Sequence, residues 1–474
     1  MITSTTWSGK RYAVLGLARS GQATVAALLA SGAEVVAWDG SEERRTQILP
    51  ELARGGGPLA QRVVEGPSRS GGFTADPSTI GSADGPPPRD KLGEELKLAD
   101  PLETDLTGFA GVVVSPGVPI NRHPIAGHAA RAGVPLIGDI ELFAQARTEL
   151  PRHKVVGITG TNGKSTTTAL IHHILDSAGI PARMGGNIGL PILGQEPLPE
   201  GGIYVLELSS YQIDLTQSLD CDVAVLTNIT PDHLDRYAGF DAYAASKARL
   251  FAMQSPEHGA VIGIGDTTSA NIARDLAVSG RSEALTKIAP GVCLDQSRWP
   301  SLQGPHNAQN ALAAIATCEA LGLSREAIDA GLASFPGLPH RMERLGVHKG
   351  LLWVNDSKAT NPTSTAPALQ AFDRIHWILG GQAKTDELDA CRPGFPNIVQ
   401  AYTIGEAAEL FETILRPELP VAQVGTLEMA VQAAVTVADP GDTVLLSPAC
   451  ASFDQFRDYE ARGDAFRALV EGLS

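Results

Sequence analysis

A strand-like run, Val155 to Ile158, passes directly into the glycine turn Thr159-Gly160-Thr161-Asn162-Gly163-Lys164, and a helix opens at Ser165. No other stretch constrains the fold of this chain as tightly. A strand, a glycine turn and a helix N-terminus aim several backbone N–H groups and the positive helix end at one point, which suits phosphate oxygens. Leu170, Ile171, Ile174 and Leu175 recur at helical spacing, so the helix has an apolar face to lay against a sheet. In the pattern G-x-x-x-x-G-K-[ST], the lysine, here Lys164, reaches the β- and γ-phosphates and the hydroxyl, here Ser165, binds Mg²⁺. Ile158 stands where the first glycine of that pattern belongs. The expectation is a nucleoside triphosphate held by Gly160, Thr161, Asn162, Gly163, Lys164, Ser165 and Thr166 on an α/β sheet.

A chain of 474 residues exceeds what one hydrophobic core supports, and at ~100 to 200 residues per domain it divides into about three. Residues 1–150 open with the apolar run Tyr12 to Leu17, a helical stretch Gln22 to Ala30 and a second run Val35 to Trp38 ending at Asp39, a βαβ start. Further runs are Val112 to Val114 and Pro135 to Ile137. Between them lies Gly55 to Pro101, rich in Gly, Pro, Ser and Asp, whose centre reads as a mobile surface insertion because it buries too little apolar area to offset ordering. Residues 151–336 hold the phosphate loop and runs at Ile203 to Leu206, Val223 to Leu226 and Ala260 to Ile264. After Phe335-Pro336-Gly337-Leu338-Pro339, residues 337–474 carry runs at Leu351 to Val354, Ile375 to Leu379 and Val444 to Leu446.

The formal charge of −16 argues against a general nucleic-acid or anionic-membrane binder, which needs basic surface. No apolar segment reaches the ~18 uncharged residues of a bilayer span, and no leader pattern precedes the first strand. The cysteines Cys221, Cys293, Cys318, Cys391 and Cys450 are scattered without C-x-x-C spacing, which fits reduced thiols. A cytoplasmic enzyme, monomeric and acting on small molecules, is expected.

Three further places carry chemistry. Gly16-Leu17-Ala18-Arg19-Ser20-Gly21, with Asp39 about twenty residues on, approximates the dinucleotide fingerprint but has Ala18 for its middle glycine. Arg19 and the helix amides can hold a pyrophosphate with or without a nicotinamide, so NAD(P) and another nucleotide-bearing ligand both stay open. Glu207 ends an apolar strand in Leu206-Glu207-Leu208-Ser209-Ser210-Tyr211, where a carboxylate near a phosphate loop can bind Mg²⁺. His233 follows another such strand in Asn228-Ile229-Thr230-Pro231-Asp232-His233-Leu234-Asp235, and by spacing alone it is more often an ordinary loop histidine.

The segments 160–166, Gly185-Gly186-Asn187-Ile188-Gly189, Glu207-Leu208-Ser209-Ser210, Thr227 to Asp235 and His306-Asn307-x-x-Asn310-Ala311 occur in the order seen in the Mur ligases, which this chain resembles over nearly its whole length. Those are three-domain ATP-dependent amide ligases of peptidoglycan precursor synthesis. Folylpolyglutamate synthases share their central and C-terminal plan. Asn355-Asp356-Ser357-Lys358-Ala359-Thr360-Asn361 and Ser447 to Phe456 are most similar to members that add D-glutamate to UDP-N-acetylmuramoyl-L-alanine. A sister ligase with another acceptor stands as the alternative.

The resemblance implies an N-terminal Rossmann-like UDP-binding domain, a central P-loop ATPase-type domain and a C-terminal Rossmann-like domain for the amino acid. It implies that Ser165 and Glu207 hold one Mg²⁺, that His233 binds a second, and that Lys247 is carbamylated and assists metal binding. Arg341, Asn307, Asn310 and Asp356 would contact ATP. Arg19, Ser20, Asp39, Ser115, Gly117, Asn187 and His233 would hold the UDP substrate. Lys358, Thr360, Lys384, Ser452 and Tyr459 would face D-glutamate, with Tyr459 replacing the family's phenylalanine and Gln382-Ala383-Lys384 replacing its acidic-Gly-Lys pattern. Lys164, Glu207, His233 and Lys247 form the catalytic set so implied.

Overall fold

A computed structural model describes residues 1–53, 95–232, 235–291 and 294–473. His233 and most of the stretch read as an insertion lie outside the described residues. Three β-sheets with helices on their faces make an α/β architecture.

The first sheet contains β1 (Arg11–Leu15), β2 (Glu34–Trp38), β3 (Leu96–Leu98), β4 (Gly111–Val114) and β5 (Leu136–Ile137) in the order β3-β2-β1-β4-β5, all parallel. The order reverses between β1 and β4, and a crevice opens at such a point beyond the C-terminal strand ends. The helix Arg19–Ala30 returns from β1 and begins three residues before the expected Gln22. Gly21 lets it do so: a Cβ there would lie 1.8 Å from the Gly16 carbonyl oxygen. Strand β3 falls inside the stretch expected to be an insertion from 55 to 101, whose C-terminal end is therefore part of the sheet. Leu96-Lys97-Leu98 is too short for its alternation to stand out.

The second sheet contains β6 (His153–Thr159), β7 (Ala182–Gly186), β8 (Gly202–Glu207), β9 (Val223–Leu226), β10 (Gly259–Gly263) and β11 (Leu285–Ile288), all parallel, in the order β11-β10-β9-β6-β8-β7. Central β6 aligns Ile158 with Glu207 on one side and Val225 on the other. The helix Lys164–Ser177 follows, and Leu170, Ile171, Ile174 and Leu175 are fully buried. Each contributes roughly 1.5–3 kcal/mol of hydrophobic stabilisation. Gly179, at positive φ, stops the helix as the Ile180 amide bonds the Leu175 carbonyl.

The third sheet contains β12 (Glu343–His348), β13 (Leu351–Asn355), β14 (Ile375–Gly380), β15 (Ile398–Ile404), β16 (Val421–Gly425) and β17 (Thr443–Leu446), ordered β12-β13-β17-β14-β15-β16. Only β12 pairs antiparallel. One apolar cluster runs from Trp7 and Val14 through Phe143 to Tyr204 and Leu226, joining the first two sheets. The third sheet packs clusters of its own, around Trp377 and Phe411 on one face and around Trp353 and Phe466 on the other. Among the described residues no helix is long and apolar enough to cross a membrane.

Candidate active site

Ile158 is fully buried inside β6, so the chain remains in strand through Thr159 and turns only at Gly160. That explains the absent first glycine: the backbone there is extended, and the turn belongs to Gly160 at φ 146° and Gly163 at φ 85°. A Cβ on Gly160 would lie 2.0 Å from Thr227 Oγ1, and one on Gly163 2.3 Å from Asn310 Oδ1. The segment after β9 braces the loop. The Asn228 carbonyl accepts from the Thr161 amide at 2.8 Å, Asn228 Oδ1 accepts from the Asn162 amide at 3.0 Å, and Thr227 Oγ1 donates to the Asn162 carbonyl at 2.6 Å. In the sequence Thr227 and Asn228 stand only as part of a motif; their role as the brace is a matter of tertiary packing.

Cations and carboxylates gather beside this loop, Glu207 and Asp232 both acting on Lys164 and Lys247. Lys164 Nζ donates to the Thr161 carbonyl at 2.8 Å, and burial lowers its amine below the usual lysine range. Lys247 Nζ donates to the Gly160 carbonyl at 2.9 Å and sits 4.6 Å from the centre of the Tyr243 ring. Burial, then the neighbouring Lys164 charge, bring Lys247 down to about 7. Glu207 is 2% exposed at the tip of β8. Its Oε1 accepts from Asn187 Nδ2 at 3.0 Å, while its buried Oε2 has no hydrogen-bond partner among the described residues. Arg341, arriving from the segment before the third sheet, donates from Nη2 to Ser165 Oγ at 2.7 Å.

A cleft of about 690 Å³ extends from the loop toward the third sheet. Asn162, Gly163, Thr166, Asn307, Asn310, Arg341 and Asp356, all expected around ATP, line it together with Lys358, whereas Gly160, Thr161, Lys164 and Ser165 are not among its lining residues. Asn310 Nδ2 donates to Asn307 Oδ1 at 3.1 Å. Asp356 accepts from Ser447 Oγ at 2.8 Å and the Met342 amide at 3.2 Å, and burial nevertheless raises its carboxyl to about 7. His306 also lines the cleft; burial drops its imidazole to about 4, so the ring is neutral.

A second cleft, about 610 Å³, opens at the switch point of the first sheet. Arg19, Ser20, Asp39, Ser115, Gly117 and Asn187 all line it, the last from the second sheet. Asp39 accepts from the Leu17 amide at 2.7 Å, the Ser41 amide at 2.8 Å and Arg44 at 3.3 Å. Burial opposes ionisation, but these donors outweigh it and hold the carboxyl below its ordinary value. Arg44 and Trp38 line the same cleft and were not singled out in the sequence, since nothing in their spacing marks them.

Of the residues expected to face the amino acid, Lys358 alone lines the first cleft. Its Nζ lies 3.6 Å from the centre of the Tyr459 ring, and burial, then Arg341, lower it to about 8. Lys384 Nζ donates to Thr360 Oγ1 at 3.3 Å, and Ser452 is buried. Arg462 ties their segments together, donating to the carbonyls of Ser357 at 2.8 Å, Cys450 at 3.0 Å and Ala451 at 3.3 Å. A helical arginine carries no signal of burial, so Arg462 is not legible in the sequence.

A phosphate loop on a parallel sheet, with a buried carboxylate and several cations converging on it from two sheets, defines a nucleotide-dependent enzyme that handles anionic substrates. The chain belongs to the Mur ligases. Residues 158–289 match the Mur ligase middle domain and residues 340–450 the Mur ligase, glutamate ligase domain. A UDP-N-acetylmuramoylalanine–D-glutamate ligase from Novosphingobium aromaticivorans is 58% identical, covering 100% of this chain and 97% of that one. The same-named protein from Sphingopyxis alaskensis is 57% identical, with 100% of both covered. In fold, the chain is similar to the UDP-N-acetylmuramate-alanine ligase of Thermotoga maritima (TM-score 0.55, 15% identity, 98% of this chain and 100% of that one). It is also similar to a pseudomurein peptide ligase type C from Methanothermus fervidus (TM-score 0.53, 16% identity, 98% and 100%).

Proposed function

We infer that this Mur ligase joins D-glutamate to UDP-N-acetylmuramoyl-L-alanine at the expense of ATP, in cytoplasmic peptidoglycan precursor synthesis. The full-length identity to ligases of that name carries the reading. A carboxylate oxygen of the UDP substrate attacks the γ-phosphorus of ATP, giving an acyl phosphate and ADP. The D-glutamate amine then attacks the acyl carbon, so the amide forms as phosphate and a proton leave. Both steps concentrate negative charge, and positioned cations stabilise them.

In this reading the loop amides and Lys164 hold the β- and γ-phosphates. Ser165 Oγ and the Glu207 Oε2, which has no partner among the described residues, are hard oxygens suited to Mg²⁺, which when bound offsets phosphate charge. A second Mg²⁺ at His233 belongs to the same proposal, as does carbamylation of Lys247, whose lowered amine is about half neutral at pH 7, far more than an ordinary lysine, and so nucleophilic toward CO₂. Asn307, Asn310, Arg341 and Asp356 bind ATP, the second cleft takes the UDP moiety, and Lys358, Thr360, Lys384, Ser452 and Tyr459 receive D-glutamate. The division into domains at 1–150, 151–336 and 337–474, acting as a monomer, completes the scheme.

Phosphate release measured with ATP, UDP-N-acetylmuramoyl-L-alanine and D-glutamate, omitting each in turn, tests it. Release is expected only with all three. Equal release without D-glutamate, or equal turnover with L-glutamate or diaminopimelate, overturns it.

A further inference from the structure

The ligase reading needs the carboxylate of a substrate held in one cleft to meet a phosphate held in another, and the two clefts belong to different sheets. A clasp joins their loops. Arg236 follows the Asn228–Asp235 segment, whose first residue braces the phosphate loop. Its Nη2 donates to the Pro116 carbonyl at 3.3 Å and the Val118 carbonyl at 3.2 Å. Pro116 and Val118 lie in the loop after β4 that lines the UDP cleft. The guanidinium also lies 4.3 Å from the centre of the Tyr211 ring. Tyr211 sits on the short helix Ser210–Asp214 that follows Glu207, and its neighbour Gln212 lines the same cleft.

The bond runs the other way as well. Arg122 Nη2 donates to the Asp235 carbonyl at 2.8 Å and Asn121 Nδ2 to the same oxygen at 3.3 Å. One planar cation thus touches the nucleotide loop of the first sheet and the aromatic ring just beyond the Glu207 strand. One nitrogen, Nη2, serves both carbonyls while the planar guanidinium lies over the Tyr211 ring, a face contact that an ammonium makes less well.

We propose that Arg236 is a positioning residue that aligns the UDP substrate's carboxylate with the γ-phosphate. It touches no reacting atom and acts through the 116–118 loop and Tyr211. This rests on the ligase reading, so the parent enzyme must first show phosphate release dependent on all three substrates; failure there sinks that reading and not the clasp alone.

Arg236→Met keeps the side chain's apolar stem and removes both the donors and the stacking. Its kcat is expected to fall at least tenfold, and the KM for UDP-N-acetylmuramoyl-L-alanine to rise severalfold, since a displacement near 1 Å costs about a hundredfold in rate. The KM for ATP and the affinity for ADP should stay within twofold, a split that general destabilisation does not produce. Arg236→Lys should recover only a small part of the loss, and Tyr211→Leu should reproduce part of it. Parent-like kcat and KM in Arg236→Met overturn the proposal, and so does an equal loss of ADP affinity or full recovery in Arg236→Lys.

Discussion

At the scale of single residues, the lysines beside the phosphate loop are held by carbonyl oxygens and depleted of water. Lys164 and Lys247 both point at loop carbonyls, those of Thr161 and Gly160. Lys164→Ala is expected to abolish turnover, by about a thousandfold or more, with the unfolding transition retained; near-parent turnover in a folded variant overturns the phosphate role. Lys247 makes a prediction about pH. Its native value of about 7 lies below the ordinary 10.5. Between those values the unfolded chain carries this proton and the native chain does not, so this group makes stability rise with pH from about 7 to about 10.5. In bicarbonate-free buffer, urea unfolding at pH 7 and 9 should show that rise, and Lys247→Met should remove it while losing ligase activity. The same slope in parent and variant argues against a neutral native amine.

Among elements, the helix Arg19–Ala30 shows how a backbone contact shapes a ligand cleft. Gly21 lets the helix approach β1 closely enough for Arg19 and Ser20 to reach the crevice. Gly21→Ala must push the helix away from the Gly16 carbonyl, because a backbone oxygen has no alternative rotamer, at a cost of about 1–3 kcal/mol. A lowered melting temperature and a raised KM for the UDP substrate with an unchanged KM for ATP are expected; a parent-like KM for the UDP substrate counts against the assignment of this crevice. The glycine was legible as a fingerprint position, and β1, β2, β6, β8 and β9 as uninterrupted apolar runs. Strands β7, β11, β12, β15 and β16 were not noticed. Four of these are short or partly solvated, as in Glu343–His348 with no fully buried residue, and β7 holds two glycines. Strand β15 is well buried from Ala401 to Ile404 but is broken by Gln400 and Thr403, which hide its alternation. The glycine turn after β6 could be read because it depends on local backbone chemistry. The brace of Thr227 and Asn228, the Arg462 tie and the Arg236 clasp could not, since each arises where distant segments pack.

For the whole molecule, the arrangement of cores decides which substrates feel which residues. The chain carries a net charge of −16, yet Arg19, Lys164, Arg341 and Lys358 lie in or beside its clefts, so local cations, not the global field, must receive anionic substrates. The first two sheets share one apolar cluster, while the third keeps its own. Arg341 crosses that division to Ser165, on a connection that takes positive φ at Gly337, His340 and Met342 (87°, 60° and 52°). The Lys358 amide bonds the His340 carbonyl at 3.0 Å and Asp356 receives the Met342 amide, so the connection is fastened to the third sheet. Arg341→Met therefore cuts a tie between the 160–166 loop and the third sheet, and leaves the shared core of the first two sheets alone. We expect the KM for ATP to rise about tenfold or more, with a comparable loss in kcat/KM for D-glutamate. Binding of UDP-N-acetylmuramoyl-L-alanine, followed by calorimetry without ATP, should be unchanged. A parallel loss of that binding means that the UDP cleft depends on the third sheet, against the separation of cores on which the expectation is built.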